Sequence, residues 1–168
     1  VGYQHMRQGR YQQALEKYDR SLKLYRDLGN RRSEGIILGA FGYLYMNQEQ
    51  ASLSKHYTEQ ALHIHRQLGN RRSEGMSLNS VASLMVEQGR LTEAQSQFVA
   101  ALKIHRSCGN RRSESQALIS LGTIQSYFGN WELAEQYFHE ALAISRDAGN
   151  RRVEGIALSA VATLSRHQ

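Results

Sequence analysis

The stretch Gly29-Asn30-Arg31-Arg32-Ser33-Glu34 decides the fold, because it returns at intervals of 40 residues. It recurs unchanged at 69–74 and at 109–114, and a fourth copy at 149–154 has Val153 in place of serine. Self-similarity at one fixed spacing is the sequence signature of a repeat architecture. The chain is therefore expected to be built from structural repeats of 40 residues.

Each 40-residue unit predicts two helices, because its apolar residues follow the three-and-four spacing of a buried helical stripe. In the unit that starts at Arg31, the first helix is expected over about 31–48 and the second over about 51–68, with Leu53 and Leu68 on the buried stripe of the second. No window sustains the alternation of a strand, while alanine, leucine, glutamate, glutamine and arginine dominate. The fold class predicted is all-α: an α-solenoid of antiparallel helix hairpins.

The Gly-Asn pair accounts for both the end of one helix and the start of the next. Glycine suits the left-handed backbone that follows a helix, and asparagine suits the N-cap. Glu34 then lies in the first turn, where a negative charge favours the helix dipole. Within the second hairpin, residues 48–50 replace the turn glycine of the other hairpins, which predicts a less tightly capped turn. Gly42 lies inside a first helix and predicts a close approach of a neighbouring helix.

The composition excludes several classes of protein. In 168 residues, 40% are hydrophobic and 21% are charged, which is too apolar for a disordered tail and too polar for a membrane protein. No apolar run approaches the ~20 residues of a membrane span. The single cysteine, Cys108, excludes an internal disulfide and favours a reducing compartment, so a cytoplasmic location is expected. Fourteen glycines and no proline favour long elements separated by glycine turns.

The chain resembles the tetratricopeptide repeat family in its 40-residue variety. Gly-Asn-Arg-Arg stands where the family's shorter repeats end in proline, which is similar to spindle-orientation adaptors of the Pins type, to rapsyn and to bacterial multidomain regulators. The resemblance implies a right-handed superhelix and a non-catalytic protein–protein interaction scaffold. The alternative is a regulatory or sensor segment of a multidomain signalling enzyme or transcription regulator. The residues that carry the resemblance are Leu118, Leu121, Gly122, Gly129, Trp131, Ala134, Phe138 and Ala141.

The repeat register predicts how the chain is organised. Residues 1–168 are expected to form a single array that is part of a longer solenoid: a partial repeat at 1–30, full repeats at 31–70, 71–110 and 111–150, and the first helix of a further repeat at 151–168. Because solenoids normally need a polar capping element, Leu158, Val161 and Leu164 are expected to leave apolar surface. End-to-end association of copies is expected from that surface.

The resemblance also implies a binding site, because first helices line the concave groove in which the family holds a partner peptide. No partner identity follows from the residues, and the family's lysine, arginine and asparagine clamp for a C-terminal carboxylate is not reproduced. The alternative is a solvated face without a ligand. Carried over by register, the groove residues are Tyr3, Met6, Arg7, Tyr43, Met46, Asn47, Asn79, Ser80, Ser83, Gln116, Thr123 and Ser126.

The arginine pairs carry the positive charge of the chain. Without these eight arginines, the 21 basic residues would fall to 13 against 15 acidic ones, and the net charge of +6 would disappear. One interpretation is a basic strip for an acidic peptide or a phosphate backbone. The other, which identical residues in every repeat favour, is a structural ladder in which glutamates of an adjacent repeat neutralise the arginines. The ladder comprises Asn30, Arg31, Arg32, Glu34, Asn70, Arg71, Arg72, Glu74, Asn110, Arg111, Arg112, Glu114, Asn150, Arg151, Arg152 and Glu154.

Enzyme and metal chemistry are not predicted. His65 and His105 are repeat-equivalent, and neighbouring repeats lie too far apart for both to reach one ion at the ~2 Å of a zinc bond. Surface or interhelix roles are expected for the histidines, and neither a metal nor a cofactor is expected. Cys108 is expected to fill an apolar position at a helix end, since no activating base accompanies it. Nucleic-acid binding is disfavoured because no aromatic residues accompany the arginines.

Overall fold

The computed structural model describes residues 11–164, and within that range the regular structure consists of helices only. A single helix is followed along the chain by three successive pairs of helices and a last single helix. In chain order the helices are α1 (Tyr11–Asp27), α2 (Arg31–Met46), α3 (Ala51–Gln67), α4 (Arg71–Glu87), α5 (Leu91–Ser107), α6 (Arg111–Tyr127), α7 (Trp131–Asp147) and α8 (Arg151–Leu164). The all-α class with helix hairpins is confirmed.

The chain divides into two compact units, unit 1 (Val1–Leu84) and unit 2 (Met85–Gln168). In unit 1, α2 packs against α1 on one side and α3 on the other. In unit 2, α6 packs against α5 and α7, and α7 packs against α8. No helix among residues 11–164 has the length and apolarity that crossing a membrane requires.

The turns between helices have the backbone that the Gly-Asn pair predicts. Gly29 has φ +64°, and the side-chain oxygen of Asn30 accepts a hydrogen bond from the Ser33 backbone N–H at 3.1 Å. The turn inside the second hairpin differs, since Glu49 takes φ 58° where other turns have glycine. Gln50 then starts α3 without a side-chain cap. Arg90 and Asn130 start α5 and α7 without a side-chain cap as well, so capping does not single out this turn as residues 48–50 predict.

The close approach predicted at a helix glycine is found in both units. A Cβ built on Gly42 would lie 2.2 Å from Oγ1 of Thr58, and one built on Gly122 would lie 2.5 Å from the Phe138 ring. Glycine is therefore what lets α3 approach α2, and α7 approach α6.

Three details of the predicted apolar surfaces are wrong. Leu53 and Leu68 are exposed, and the buried stripe of α3 includes Ala61 and Ile64 but neither leucine. At the end of the described chain, Leu158 is exposed as expected, but Leu164 is buried at 4% exposure. Leu164 lines a cavity in unit 2 together with Phe138, so it packs inward.

Candidate functional site

Glutamates in the first turn of the first helices form ion pairs with arginines at the end of the preceding helix and at the start of their own helix. In unit 1, Nε of Arg26 donates to Oε1 of Glu34 at 3.0 Å, and Nη1 of Arg31 donates to Oε2 at 2.6 Å. The arginine side chains are half exposed, whereas the Glu34 side chain is buried. The carboxylate is thus held between the end of α1 and the start of α2.

The same arrangement recurs along the chain. Glu74 accepts from Arg66 and Arg71, and Glu114 accepts from Arg106 and Arg111. In the fourth copy Glu154 accepts from Arg146 at 2.9 Å. In unit 2, Arg106 also pairs with Glu140, and Arg111 also pairs with Asp147.

The ion pairing favours the charged form of Glu34. Burial alone would raise the pKa of its carboxyl, but the hydrogen bonds and charges of Arg26 and Arg31 together outweigh burial and hold that pKa below its ordinary value. Glu34 is accordingly an ionised carboxylate at neutral pH.

The predicted ladder therefore needs a correction in its partners. Arg31 is neutralised by Glu34 of its own repeat, three residues further along the same helix, and not by an adjacent repeat. The contact between repeats is made by an arginine that the sequence interpretation missed. Its signal was present in the sequence, since an arginine stands at 26, 66, 106 and 146 with the same 40-residue spacing.

The second arginine of each pair behaves differently from the first. Arg32, Arg72, Arg112 and Arg152 are exposed, and none of their guanidinium groups makes an ion pair or hydrogen bond with any residue that the structure describes. Three of the first arginines thus make structural contacts, whereas the four second arginines carry free charge.

A cavity of about 440 Å³ lies between the first helices α2 and α4 of unit 1. Tyr43 and Ser80, both predicted groove residues, line it together with Gly39. In unit 2 the predicted residues Thr123 and Ser126 line a second cavity, of about 730 Å³. The structure thus brings four predicted residues to cavities, two in each unit.

The other predicted groove residues are placed less favourably for a ligand. Met46 and Gln116 are half-buried, and the side chain of Asn47 donates to the Tyr43 carbonyl at 2.7 Å. Ser83 donates to the carbonyl of Asn79, four residues earlier in its own helix. Tyr3, Met6 and Arg7 lie outside the described residues.

Most of the hydroxyl groups on this face are also satisfied within their own helices. Ser80 donates to the Met76 carbonyl, Thr123 to that of Ile119 and Ser126 to that of Gly122. Such bonds leave few free donors at the surface of the first helices. A ligand would therefore bind this face mainly through shape complementarity and apolar contact.

The cavity of unit 1 is also lined by Thr58 and His65 of α3, which were not among the predicted groove residues. Both are buried, and neither Thr58 Oγ1 nor His65 Nδ1 has a hydrogen-bond partner among the residues that the structure describes. Burial lowers the pKa of His65 against the opposing charge of Glu74, so the ring is neutral at neutral pH. No group of three or more histidine, cysteine, aspartate or glutamate side chains in residues 11–164 could hold a metal ion.

Two family models match the chain, and both describe a tetratricopeptide repeat. One covers residues 73–147 and the other residues 3–32. The repeats of this chain are tetratricopeptide repeats. No curated protein matches the chain by sequence. The repeat family supports a protein-interaction or sensor role for the chain.

Solved structures with the same fold share little sequence with these tetratricopeptide repeats. The apo form of RapI is 17% identical with a TM-score of 0.87, and covers 99% of this chain and 61% of its own. A signal-transduction ATPase with a tetratricopeptide repeat sensor, from Pyrococcus horikoshii, is 19% identical with a TM-score of 0.82, over 99% of this chain and 25% of its own. A Rap protein complexed with competence and sporulation factor is 20% identical with a TM-score of 0.80, over 97% of this chain and 45% of its own. The chain therefore spans less than two thirds of these proteins.

Proposed function

We propose that the chain is a non-catalytic binding module that holds a segment of a protein partner against its first helices. The observation that carries this proposal is the cavity of unit 1, which opens between α2 and α4 and has exposed apolar residues around it. Ile36 is 51% exposed, Met76 is 53% exposed and Tyr43 is 39% exposed. Apolar side chains around a cavity are typical of surfaces that anchor a partner.

The chemistry of the cavity agrees with a peptide ligand. The described residues that line it include no aspartate, glutamate, lysine or arginine, so binding there would depend on shape and apolar contact. A partner segment can be held in this way without any covalent step. The Rap protein complexed with competence and sporulation factor gives a precedent for ligand binding by this fold.

The experiment is selection of peptides from a random displayed library on the purified chain. Selected peptides are then measured against the double variant Tyr43→Ala/Met76→Ala, which removes two apolar side chains beside the cavity. We expect at least a tenfold loss of affinity, because each side chain contributes apolar contact at the binding surface.

A matched control uses Leu24→Ala/Leu53→Ala, which removes two equally exposed apolar residues from the second helices α1 and α3. This variant should bind the selected peptides with unchanged affinity. If no peptide is enriched, or if the control loses affinity as much as the first variant does, the proposal is wrong.

The second candidate is a sensor segment that regulates a catalytic or DNA-binding domain of the same polypeptide. It is favoured by the ATPase from Pyrococcus horikoshii, in which repeats of this fold are described as a sensor. The two candidates differ in one measurement on the complete native polypeptide. A selected peptide that changes the activity of another domain supports the sensor, while a peptide that binds and leaves every activity unchanged supports the scaffold.

A further inference from the structure

The turn between α6 and α7 departs from the pattern of the other hairpins. Tyr127 and Phe128 stand where the two preceding hairpins have polar residues, at 47–48 and at 87–88. Tyr127 is 70% exposed and Phe128 is 42% exposed, and Trp131 at the start of α7 is exposed as well. Because polar residues occupy the same positions in the other hairpins, the fold does not require aromatic residues at 127 and 128. Exposed apolar residues grouped in this way are typical of a surface that binds a partner.

The cavity of unit 2 lies beside this turn. Its volume of about 730 Å³ is within the usual range of ligand pockets, and Tyr127, Trp131 and Phe138 contribute aromatic rings to its lining. Trp131 also lines a second cavity, of about 520 Å³, together with Leu133. The apolar surface therefore continues from the larger cavity along the turn, so that a segment of a protein chain can contact more of it than a small molecule can.

The larger cavity has a single charge in its lining. Arg152 is the only charged residue among the described residues that line it. The guanidinium group of Arg152 forms no ion pair or hydrogen bond with any residue in 11–164. The hydroxyl groups of Thr123, Ser126 and Thr163, which also line the cavity, donate to carbonyls of their own helices. The charge that the cavity offers to a ligand is therefore positive and unpaired.

We propose that this cavity, hereafter the Arg152 cavity, binds a segment of a protein partner in which an aspartate or glutamate lies beside a bulky apolar residue. The inference rests on the proposed function and adds a second site with its own ligand chemistry. The apolar side chain contacts the aromatic rings, and the carboxylate pairs with Arg152. One guanidinium group can bind one carboxylate through two parallel N–H bonds. A phosphate group carries more charge and three acceptor oxygens, which a single arginine does not satisfy.

The test uses the fluorescence of Trp131, which lines the Arg152 cavity and is the only tryptophan of the chain. The probe 3-phenylpropionate supplies a ring and a carboxylate, and 3-phenylpropionamide supplies the same ring without the charge. We expect Arg152→Gln to weaken binding of 3-phenylpropionate about fivefold and to change binding of 3-phenylpropionamide less than about twofold. Arg112→Gln is the matched control, because Arg112 is also an unpaired arginine of unit 2 but does not line this cavity, and it should change neither.

A second variant tests the volume of the Arg152 cavity. Gly155 lines it, and a Cβ built there would meet nothing within 4 Å. Gly155→Leu therefore adds a side chain to the lining without a clash, and should weaken both probes about tenfold. Circular dichroism and thermal melting establish that each variant is folded. If neither probe binds, if the two probes bind equally well, or if either folded variant, Arg152→Gln or Gly155→Leu, binds 3-phenylpropionate as well as the original chain does, the assignment is overturned.

The peptides selected for the proposed function separate the two proposals. Peptides that place an acidic residue beside a bulky apolar one, and that lose affinity with Arg152→Gln and Gly155→Leu but not with Arg112→Gln, support the Arg152 cavity. Peptides that lose affinity only with Tyr43→Ala/Met76→Ala overturn the Arg152 cavity and leave the proposed function standing. If 3-phenylpropionate binds through Arg152 but no peptide is enriched, the protein segment is overturned as the occupant, and the proposed function with it.

Discussion

The same carboxylate has two roles at each junction between repeats. Glu34 lies in the first turn of α2, where its negative charge interacts favourably with the positive end of the helix dipole. It also accepts a hydrogen bond from Arg26 at the end of α1. A glutamate at this position of the repeat therefore links the end of one helix to the start of the next. This explains why the glutamate is present in all four copies of the repeated stretch.

We predict that Glu34→Gln lowers the free energy of unfolding by about 1–2 kcal/mol at pH 7, because two charge-assisted hydrogen bonds to a buried carboxylate are weakened. Since the pKa of Glu34 is lowered in the folded state, its contribution is complete above the ordinary carboxyl value of about 4.3 and is lost as the pH falls through the lowered value. Urea denaturation at pH 7, 5, 4 and 3 measures the difference between the two proteins, which should shrink in acid.

Glu93→Gln is the control for this prediction. Glu93 also lies in a first turn and pairs with Arg90, but its side chain is exposed, so the loss should be much smaller. Equal losses for both variants, or a Glu34→Gln difference that stays constant down to pH 3, would contradict the buried role assigned to Glu34.

At the scale of the helix hairpin, glycine serves two distinct purposes. In the turns it permits a left-handed backbone, and inside a first helix it leaves room for a side chain of the second helix. Gly155 is an exception, because a Cβ there would meet nothing within 4 Å. Alanine should accordingly destabilise the fold at the first two kinds of position and stabilise it at Gly155.

We predict that Gly122→Ala destabilises the fold by about 1–3 kcal/mol, because the new methyl group would overlap the buried Phe138 ring. Gly155→Ala should instead stabilise α8 by about 0.5–1 kcal/mol through its better helix propensity. Thermal melting of both variants is the measurement. A stabilised Gly122→Ala would show that α7 does not need the close approach to α6.

We predict that Glu49→Gly stabilises the second hairpin by about 1 kcal/mol, because Glu49 holds a left-handed backbone that glycine adopts without strain. The reciprocal change, Gly89→Ala at φ +73°, should destabilise the chain by a similar amount. Chemical denaturation of both proteins checks the pair. A destabilised Glu49→Gly would mean that the Glu49 side chain makes a contribution larger than the backbone strain.

The hairpins could be predicted from the sequence because the signals are local and occur four times. Caps, turn glycines and helix spacing each act within a few residues, so their effects can be derived without tertiary structure. The Arg26–Glu34 contact depends on how two helices meet, which the register alone does not give. The cavity between α2 and α4 also depends on packing, since neither its volume nor the residues of α3 that line it follow from the repeat register.

The arginine pairs account for the net charge of +6 of the whole molecule, and the two arginines of a pair have different surroundings. The first arginines have carboxylate partners in three copies, whereas the second arginines have none among residues 11–164. Removal of either set of four would leave 17 basic and 15 acidic residues, a net charge of +2 in both variants. The two sets therefore provide a comparison in which total charge is held constant.

We predict that changing Arg32, Arg72, Arg112 and Arg152 to glutamine leaves the melting temperature unchanged and lowers the salt concentration at which the chain elutes from heparin. Their free guanidinium groups contribute contacts to an anion and no contact to the fold. Changing Arg31, Arg71, Arg111 and Arg151 to glutamine should lower the melting temperature, because buried glutamates lose a partner, while retention falls less. Since both variants carry the same net charge, elution at one common salt concentration would show that total charge alone governs anion binding. Equal melting temperatures would show that the carboxylate pairs do not hold the repeats together.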